Sequence, residues 1–382
     1  MPKVLLTGGG TAGHVTPNIA LIPYLKERGF EIEYMGSYDG IEKKLIENEG
    51  IPYTGIDSGK LRRYASVQNL KDPHHILHGI REARRYMKKN RPDVVFSKGG
   101  FVAVPVVLAA RRYRIPVVIH ESDLSPGLAN KICIPRANKI CFSFPETEKY
   151  LGGKGIHTGL PVRDELLKGD PAKGREVCGF TTEKPVLMVI GGSLGSLNVN
   201  NAVRGALSQL LEKFQIVHIC GAGKMDPSFD GTPGYVQFEY VSDGLNDLMA
   251  MSDVFISRAG ANVICELAAL KKPNVLIPLG TDASRGDQIL NAESFEKRGF
   301  SHVLLEQDLN TDSLIAAVAE VFENKDKYID AMEKAGGENA ARMVADIIAE
   351  TAGEPVPDGD TDVSDEEIMA AHMEEDKEQE EE

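Results

Sequence analysis

Lys3-Val4-Leu5-Leu6-Thr7-Gly8-Gly9-Gly10-Thr11-Ala12-Gly13-His14-Val15-Thr16-Pro17 is the stretch on which the reading of this chain turns. Lys3 to Thr7 is a short apolar run of the kind that forms a buried parallel strand. Three consecutive glycines let the backbone turn tightly and approach a ligand, because no Cβ stands in the way. Thr16 suits an N-cap and Pro17 the first helical position, so the run predicts strand, glycine loop and helix start. A helix start of this kind favours an anion or a polar ligand. His14 stands at the mouth of the loop, where an imidazole removes a proton near neutral pH.

The same loop fits two other readings. One is a tight strand-to-helix turn that binds nothing. The other is a dinucleotide site: Gly8, Gly10 and Gly13 satisfy G-x-G-x-x-G, and Glu33 lies where a ribose-binding acid is expected. The rest of the chain decides among them.

A chain of 382 residues is long enough for two domains with full cores. Its longest apolar run, Phe101 to Ala110, is too short to span a bilayer and contains Pro105. The N-terminus lacks a long apolar segment, which argues against secretion. Cys133, Cys141, Cys178, Cys220 and Cys265 are odd in number and never spaced as CxxC, the pattern of reduced, buried cysteines in a cytosolic protein. The net charge of −14 is unevenly spread. Residues 1–162 carry 24 Lys and Arg against 15 Asp and Glu, residues 163–352 carry 18 against 28, and residues 353–382 carry one against 14. The first half is therefore basic and the second acidic. The last thirty residues read as a disordered acidic tail with little to bury.

Strand and helix patterns alternate along the chain. Glu31–Ser37, Ile51–Ile56, Asp93–Lys98, Pro116–Glu121 and Lys139–Phe144 read as strands, and Ile41–Glu49, His74–Lys89 and Phe101–Arg112 as helices. The alternation pauses at Gly159–Arg163, a hinge, and restarts at Pro185–Ile190 with Gly191–Ser196 and a long helix to Phe214. Further strands are Ile216–Cys220, Tyr235–Val241, Asp253–Ser257, Asn274–Pro278 and His302–Leu305. Both halves open with strand, Gly-Gly loop and helix. The expected fold class is α/β, with two Rossmann-like parallel-sheet domains and ligands at the carboxyl ends of the strands.

Three later stretches carry chemistry. Gly191–Ser196 offers backbone N–H groups and a Ser193 hydroxyl at a helix start, which suits a diphosphate. Ser257–Glu266 ends a strand, starts a helix with small residues and presents Glu266, whose carboxylate can accept from both hydroxyls of a ribose; an acid complementing the helix dipole is the plainer account. Asp287-Gln288 follows a polar loop, Thr281–Gly286, and its amide suits sugar hydroxyls.

Taken in order, GGGTAGH (8–14), KGGFVAVP (98–105), HES (120–122), TGLPVR (158–163), GGSLGS (191–196), SRAGA with its following glutamate (257–266), and DQ followed by NA (287–292) resemble the MurG glycosyltransferases. The resemblance spans roughly residues 1–350. It implies the GT-B fold, in which two Rossmann-like domains face an interdomain cleft. It also implies inverting transfer of N-acetylglucosamine from UDP-N-acetylglucosamine to undecaprenyl-linked lipid I, giving lipid II for peptidoglycan.

Position by position, the resemblance implies that His14 is the base and that Thr11, Ala12 and Gly13 touch donor sugar and acceptor. Asp123 falls where the family usually has Asn, Arg163 matches an arginine near the diphosphate, and Ser193 with Gly195 matches the phosphate loop. Val241 matches a uracil-side contact, Arg258 with Ala261, Asn262 and Glu266 the nucleoside loop, and Gln288 a reader of sugar hydroxyls. Gly99, Gly100 and Glu121 fall on the acceptor side. Three motifs depart from the family's usual pattern: TAGH for TGGH, HESD for HEQN, and Asp287 before Gln288. Ala12 adds a methyl near the sugar and Asp123 a charge in place of an amide.

The resulting organisation is an acceptor domain over 1–162, a UDP-sugar domain over 163–335, a helix over 336–352 returning to the first domain, and the tail 353–382. His74 and His78 are four apart, as zinc ligands can be, but no third ligand accompanies them, and the Asp358, Asp360, Asp362 string lies in the tail. No cofactor and no divalent metal is expected, and no nucleic acid. An anionic membrane surface is expected as partner, at the cytoplasmic face, through Lys60–Tyr64, Arg81–Arg91 and Arg111–Arg114. Ile76, Leu77 and Ile80 ahead of Arg84, Arg85, Lys88 and Lys89 read as a basic amphipathic helix. The alternatives left open are a related glycolipid glycosyltransferase, a non-catalytic sugar-nucleotide sensor and an NAD-dependent dehydrogenase.

Overall fold

The structure, a computed structural model, describes residues 1–58, 72–192, 195–280, 286–336 and 339–354. The chain divides into two compact units. The first comprises Met1–Glu121, Pro126–Pro161 and the chain from Asn339; the second comprises Ser122–Ser125 and Val162–Glu338.

In the first unit the elements are β1 (Lys3–Thr7), α1 (Thr16–Glu27), β2 (Glu31–Ser37), α2 (Ile41–Asn48), β3 (Tyr53–Ile56), α3 (Asp72–Asn90), β4 (Val94–Ser97), α4 (Ala103–Arg112), β5 (Val117–Glu121), α5 (Leu128–Cys133), β6 (Lys139–Phe142) and β7 (Gly155–His157). Among the described residues their strands form one parallel sheet in the order β3-β2-β1-β4-β5-β6-β7. The second unit follows with α6 (Pro171–Cys178), β8 (Val186–Ile190), α7 (Leu197–Lys213), β9 (Gln215–Ile219), β10 (Tyr235–Phe238), α8 (Leu245–Met251), β11 (Val254–Ser257), α9 (Ala261–Ala269), β12 (Asn274–Leu276), α10 (Asp287–Lys297), β13 (His302–Val303), α11 (Thr311–Glu323) and α12 (Lys325–Ala335). Its described strands are also all parallel, in the order β10-β9-β8-β11-β12-β13.

Both sheets reverse their winding at one place, between β1 and β4 in the first unit and between β8 and β11 in the second. Loops leaving the two strands at a reversal diverge to opposite faces of the sheet and open a crevice at the carboxyl ends. The glycine loop after β1 and Lys98–Gly100 after β4 flank the first reversal. Gly191 and Gly192 after β8, and Arg258–Gly260 after β11, flank the second.

The core explains why the strands read as apolar runs. Along β1, Val4 and Leu6 join the cluster on one face of the sheet and Leu5 joins the cluster on the other, all fully buried. A last helix, α13 (Ala340–Thr351), belongs to the first unit. Its Ala341, Val344, Ala345 and Ile348 recur at helical spacing and are buried with Val4 and Leu6. Asn339 caps it, accepting from Arg342 N at 3.0 Å, and donates from Nδ2 to the Tyr24 hydroxyl at 2.7 Å.

Several details differ from the sequence reading. Thr16 is not an N-cap. A 3₁₀ turn over Ala12–His14 precedes α1, Val15 occupies the cap position, and the Thr16 hydroxyl donates back to Ala12 O at 2.7 Å. The short elements α5, α6, α8 and β7 escaped the periodicity reading because each spans barely two turns or three residues. The basic amphipathic reading of α3 is also corrected. Ile76 and Ile80 are 4% exposed, and Leu77 packs against the same core as Ala83 and Met87, so the apolar stripe faces the sheet. Arg81, Arg85, Lys88 and Lys89 are left exposed on its other side. Lys60–Tyr64, the His74 side chain, Ser193, Thr281–Arg285 and residues 355–382 lie outside the described residues.

Candidate active site

At the carboxyl end of β1 the Gly8–His14 loop is held from below. Tyr34 on β2 donates its hydroxyl to Gly8 O at 2.7 Å, and Asn18 on α1 donates to His14 O at 3.1 Å and to Thr7 O at 3.3 Å. Gly100 brings the second loop against the first: it has φ of +83°, and a Cβ there would lie 2.4 Å from Gly9 O. Thr11, Ala12, Gly13, His14, Gly99 and Gly100 thus gather at the ends of two adjacent strands, with Thr11 exposed and His14 half-buried.

His14 Nδ1 lies 2.9 Å from Gly9 O and 3.2 Å from Thr11 Oγ1. A carbonyl oxygen only accepts, so Nδ1 carries the proton and Nε2 keeps its lone pair. Burial pushes the imidazole down to about 4; the nearby Lys98 ammonium adds to this, while Gly9 O and the Glu42 carboxylate pull the other way. His14 is therefore neutral at pH 7, the state a general base needs.

Around this loop stand residues to which the sequence reading gave no role. Lys98 is 1% exposed and Glu42 fully buried. His120 is also fully buried, with Nε2 donating to Gly159 O at 2.9 Å, and burial with the Lys98 charge holds it well below the usual histidine range. Glu121, placed on the acceptor side by resemblance, is 4% exposed, and its Oε2 accepts from Asn130 Nδ2 at 2.8 Å and Gly127 N at 3.2 Å. That carboxylate fixes the loop after β5. Glu33, the candidate ribose acid of a dinucleotide site, is paired with Lys3 Nζ at 2.7 Å on the neighbouring strand. The pairing takes away the second support of the dehydrogenase reading.

In the second unit, Gly195 has φ of +67°, and a Cβ there would lie 2.0 Å from Cys220 O. Only glycine lets this loop turn into α7, whose N-cap is Ser196. The start of a 17-residue helix concentrates unpaired N–H groups and a partial positive charge. Arg258 is 7% exposed and committed to the protein. Its terminal nitrogens donate to Ile277 O at 3.1 Å, Pro278 O at 3.2 Å, Ser196 Oγ at 2.7 Å and Glu306 Oε1 at 2.6 Å. Arg258 is thus a strut beneath the loops, not a free ligand for a nucleotide.

Glu266 stands in the second turn of α9, beyond the first turn where the helix dipole acts. It is half-buried, and loss of solvent pushes its carboxyl up to about 7, against the opposing pull of Arg163. Arg163 is itself half-buried, with its Nε sequestered and without a hydrogen-bond partner. Ala261 and Asn262 open the same helix. Gln288 turns its Oε1 to Leu279 N at 3.1 Å, which leaves its NH₂ as the donor. Asp123 accepts from Asn291 Nδ2 at 2.9 Å, and Asn291 Oδ1 accepts from Leu124 N at 3.0 Å. Val241 lines a cavity of about 250 Å³ with Phe238, Tyr240, Asp247 and Leu248. Among the described residues no three His, Cys, Asp or Glu come together as metal ligands.

Comparison with known proteins gives a consistent set of likenesses. The glycosyltransferase family 28 N-terminal domain matches residues 4–142, and the family 28 C-terminal domain matches residues 186–349. A UDP-N-acetylglucosamine–N-acetylmuramyl-(pentapeptide) pyrophosphoryl-undecaprenol N-acetylglucosamine transferase of Lachnospira eligens is 60% identical over 353 residues, which cover 92% of this chain and all of the relative. The enzyme of the same name from Clostridium novyi is 56% identical over 348 residues, 91% of this chain and 98% of the relative. Among solved structures, Acinetobacter baumannii MurG superposes with a TM-score of 0.74 at 26% identity, covering 92% of this chain and all of that one.

Proposed function

The chain belongs to glycosyltransferase family 28 and within it to the MurG-type N-acetylglucosaminyltransferases, and on that premise we propose that His14 is the base that activates the acceptor. The protein is a hexosyltransferase. It moves N-acetylglucosamine from UDP-N-acetylglucosamine to a muramyl hydroxyl of lipid I, making lipid II. The observation that carries the role of His14 is a neutral imidazole whose Nδ1–H is tied to Gly9 O, leaving Nε2 to accept.

In the reaction the acceptor hydroxyl gives its proton to Nε2 and its oxygen attacks the anomeric carbon. The bond to the UDP oxygen breaks on the opposite side, and its electron pair leaves with UDP, so the configuration inverts. Charge developing on the diphosphate meets Arg163 and the start of α7. Glu266 takes the ribose hydroxyls, Val241 the uracil side and the Gln288 NH₂ a sugar hydroxyl. Arg163 and the start of α7 do the work a metal would otherwise do on the diphosphate, and chelation with EDTA is expected to leave turnover unchanged.

The first unit also docks on anionic lipid at the cytoplasmic face by charge alone. Arg81, Arg85, Lys88 and Lys89 supply that charge, and among the described residues no helix is long and apolar enough to cross a membrane. The deciding assay is UDP release with and without lipid I. Release that depends on lipid I identifies the transferase, while nucleotide binding without any turnover identifies a sensor.

A further inference from the structure

Glu42 sits at the second position of α2, where an acid ordinarily complements the helix dipole from the surface. Here it is fully buried and turned toward the glycine loop. Its Oε2 accepts from Gly10 N at 3.3 Å and its Oε1 from Ser37 N at 2.9 Å, with the Ser37 hydroxyl donating to the same Oε1. Room for it is made by residues without side chains. A Cβ on Gly9 would lie 2.5 Å from Oε1, and one on Gly36 would lie 2.8 Å from the Glu42 Cγ.

The Gly10 N–H that Glu42 accepts and the Gly9 C=O that receives His14 Nδ1–H are the two ends of one peptide group. In a trans peptide those ends point in opposite directions, so a carboxylate on one side fixes the plane for an imidazole on the other. A rotated plane would break both bonds at once. Hydrogen bonds in series also polarise one another: a negative acceptor on the N–H makes the C=O a stronger acceptor.

We propose that Glu42 is a positioning residue for transfer, acting on His14 through the Gly9–Gly10 peptide to hold its tautomer and ring orientation. This rests on the reading of His14 as the base. Glu42, the peptide and His14 do the work of an acid–histidine dyad with a peptide group inserted between the partners. No proton passes along the chain.

The test is a double-mutant cycle on the full chain with UDP-N-acetylglucosamine and lipid I. Glu42→Gln is isosteric but faces one backbone N–H with an NH₂ group, and it is expected to lower kcat by about 10- to 100-fold with donor KM within about twofold. In a His14→Ala background the same substitution is expected to cost less than about twofold, because its effect runs through the lost imidazole. Equal losses in both backgrounds, or wild-type kcat in Glu42→Gln, overturn the proposal. Near-normal turnover of His14→Ala alone overturns the base itself, a separate result. Where Glu42→Gln folds poorly, Glu42→Asp is read instead. It keeps the charge at the start of α2 but withdraws it from Gly10, and the same non-additive loss is expected.

Discussion

His14 and Glu266 show the same physical force acting in opposite chemical directions. Loss of solvent disfavours the charged form of each, which makes the imidazole a free base at neutral pH and keeps the carboxyl protonated up to about 7. His14→Ala should lower kcat by roughly 10²–10⁴ and leave donor KM nearly unchanged, since a general base acts only in the transition state. Initial rates at saturating donor check this. For Glu266 the sign runs with pH. Below about 7 the carboxyl carries a proton and loses its second strong acceptor, so UDP affinity should fall about tenfold between pH 8 and pH 6. Glu266→Gln should bind more weakly throughout and lose that dependence. Calorimetric titrations of both proteins with UDP cancel the nucleotide's own ionisation. A parent and variant with parallel pH profiles would leave Glu266 without a role in the ribose contact.

At the scale of the element, α3 separates two properties that look alike in sequence. Its apolar stripe, Ile76, Ile80, Ala83 and Met87, is core, and its exposed cations stand on the opposite side. Lipid binding through α3 should therefore be electrostatic only. Vesicles with anionic lipid should co-sediment the protein at low salt, and release it at high salt or when Arg81, Arg85, Lys88 and Lys89 become Glu. Ile80→Ala should instead cost about 2–5 kcal/mol of stability and leave vesicle binding unchanged. If the quadruple variant still sediments like the parent, another surface makes the contact.

For the whole molecule, the buried histidines set the acid limit. His120 in the first unit and His218 in the second are fully buried and held low, His218 at about 3 with Nδ1 on the Tyr235 hydroxyl and Nε2 on Asn200 Oδ1. The folded chain keeps them neutral, whereas the unfolded chain protonates them below about 6.5, so each removes stability as pH falls. The slope approaches about 1.4 kcal/mol per pH unit for each, and the protonated Glu266 offsets part of it between about 7 and 4.5. Thermal melts should show Tm falling steadily from pH 6.5 to pH 5. A flat or rising Tm over that range would mean these rings are not held neutral.

The run Lys3–Thr7 and its glycine loop were enough to read a parallel strand turning into a helix, because burial on both faces replaces polar–apolar alternation with an unbroken apolar run, here Val4–Leu6. The alternation beyond it specified two α/β units, and the ordered motifs specified the family. All of these are local signals, written in consecutive residues. What consecutive residues do not carry is which side chain a fold turns inward. Glu42 passes unremarked within the helix Ile41–Glu49, while Arg258 reads as a nucleotide ligand and Ile76–Ile80 as a membrane face. Their places beneath the loops and in the core were decided by the glycine loop, Glu306 and α4, each brought to them from elsewhere in the chain. Burial and pairing are properties of the partner as much as of the residue, and the partner is chosen only when the sheet closes around it.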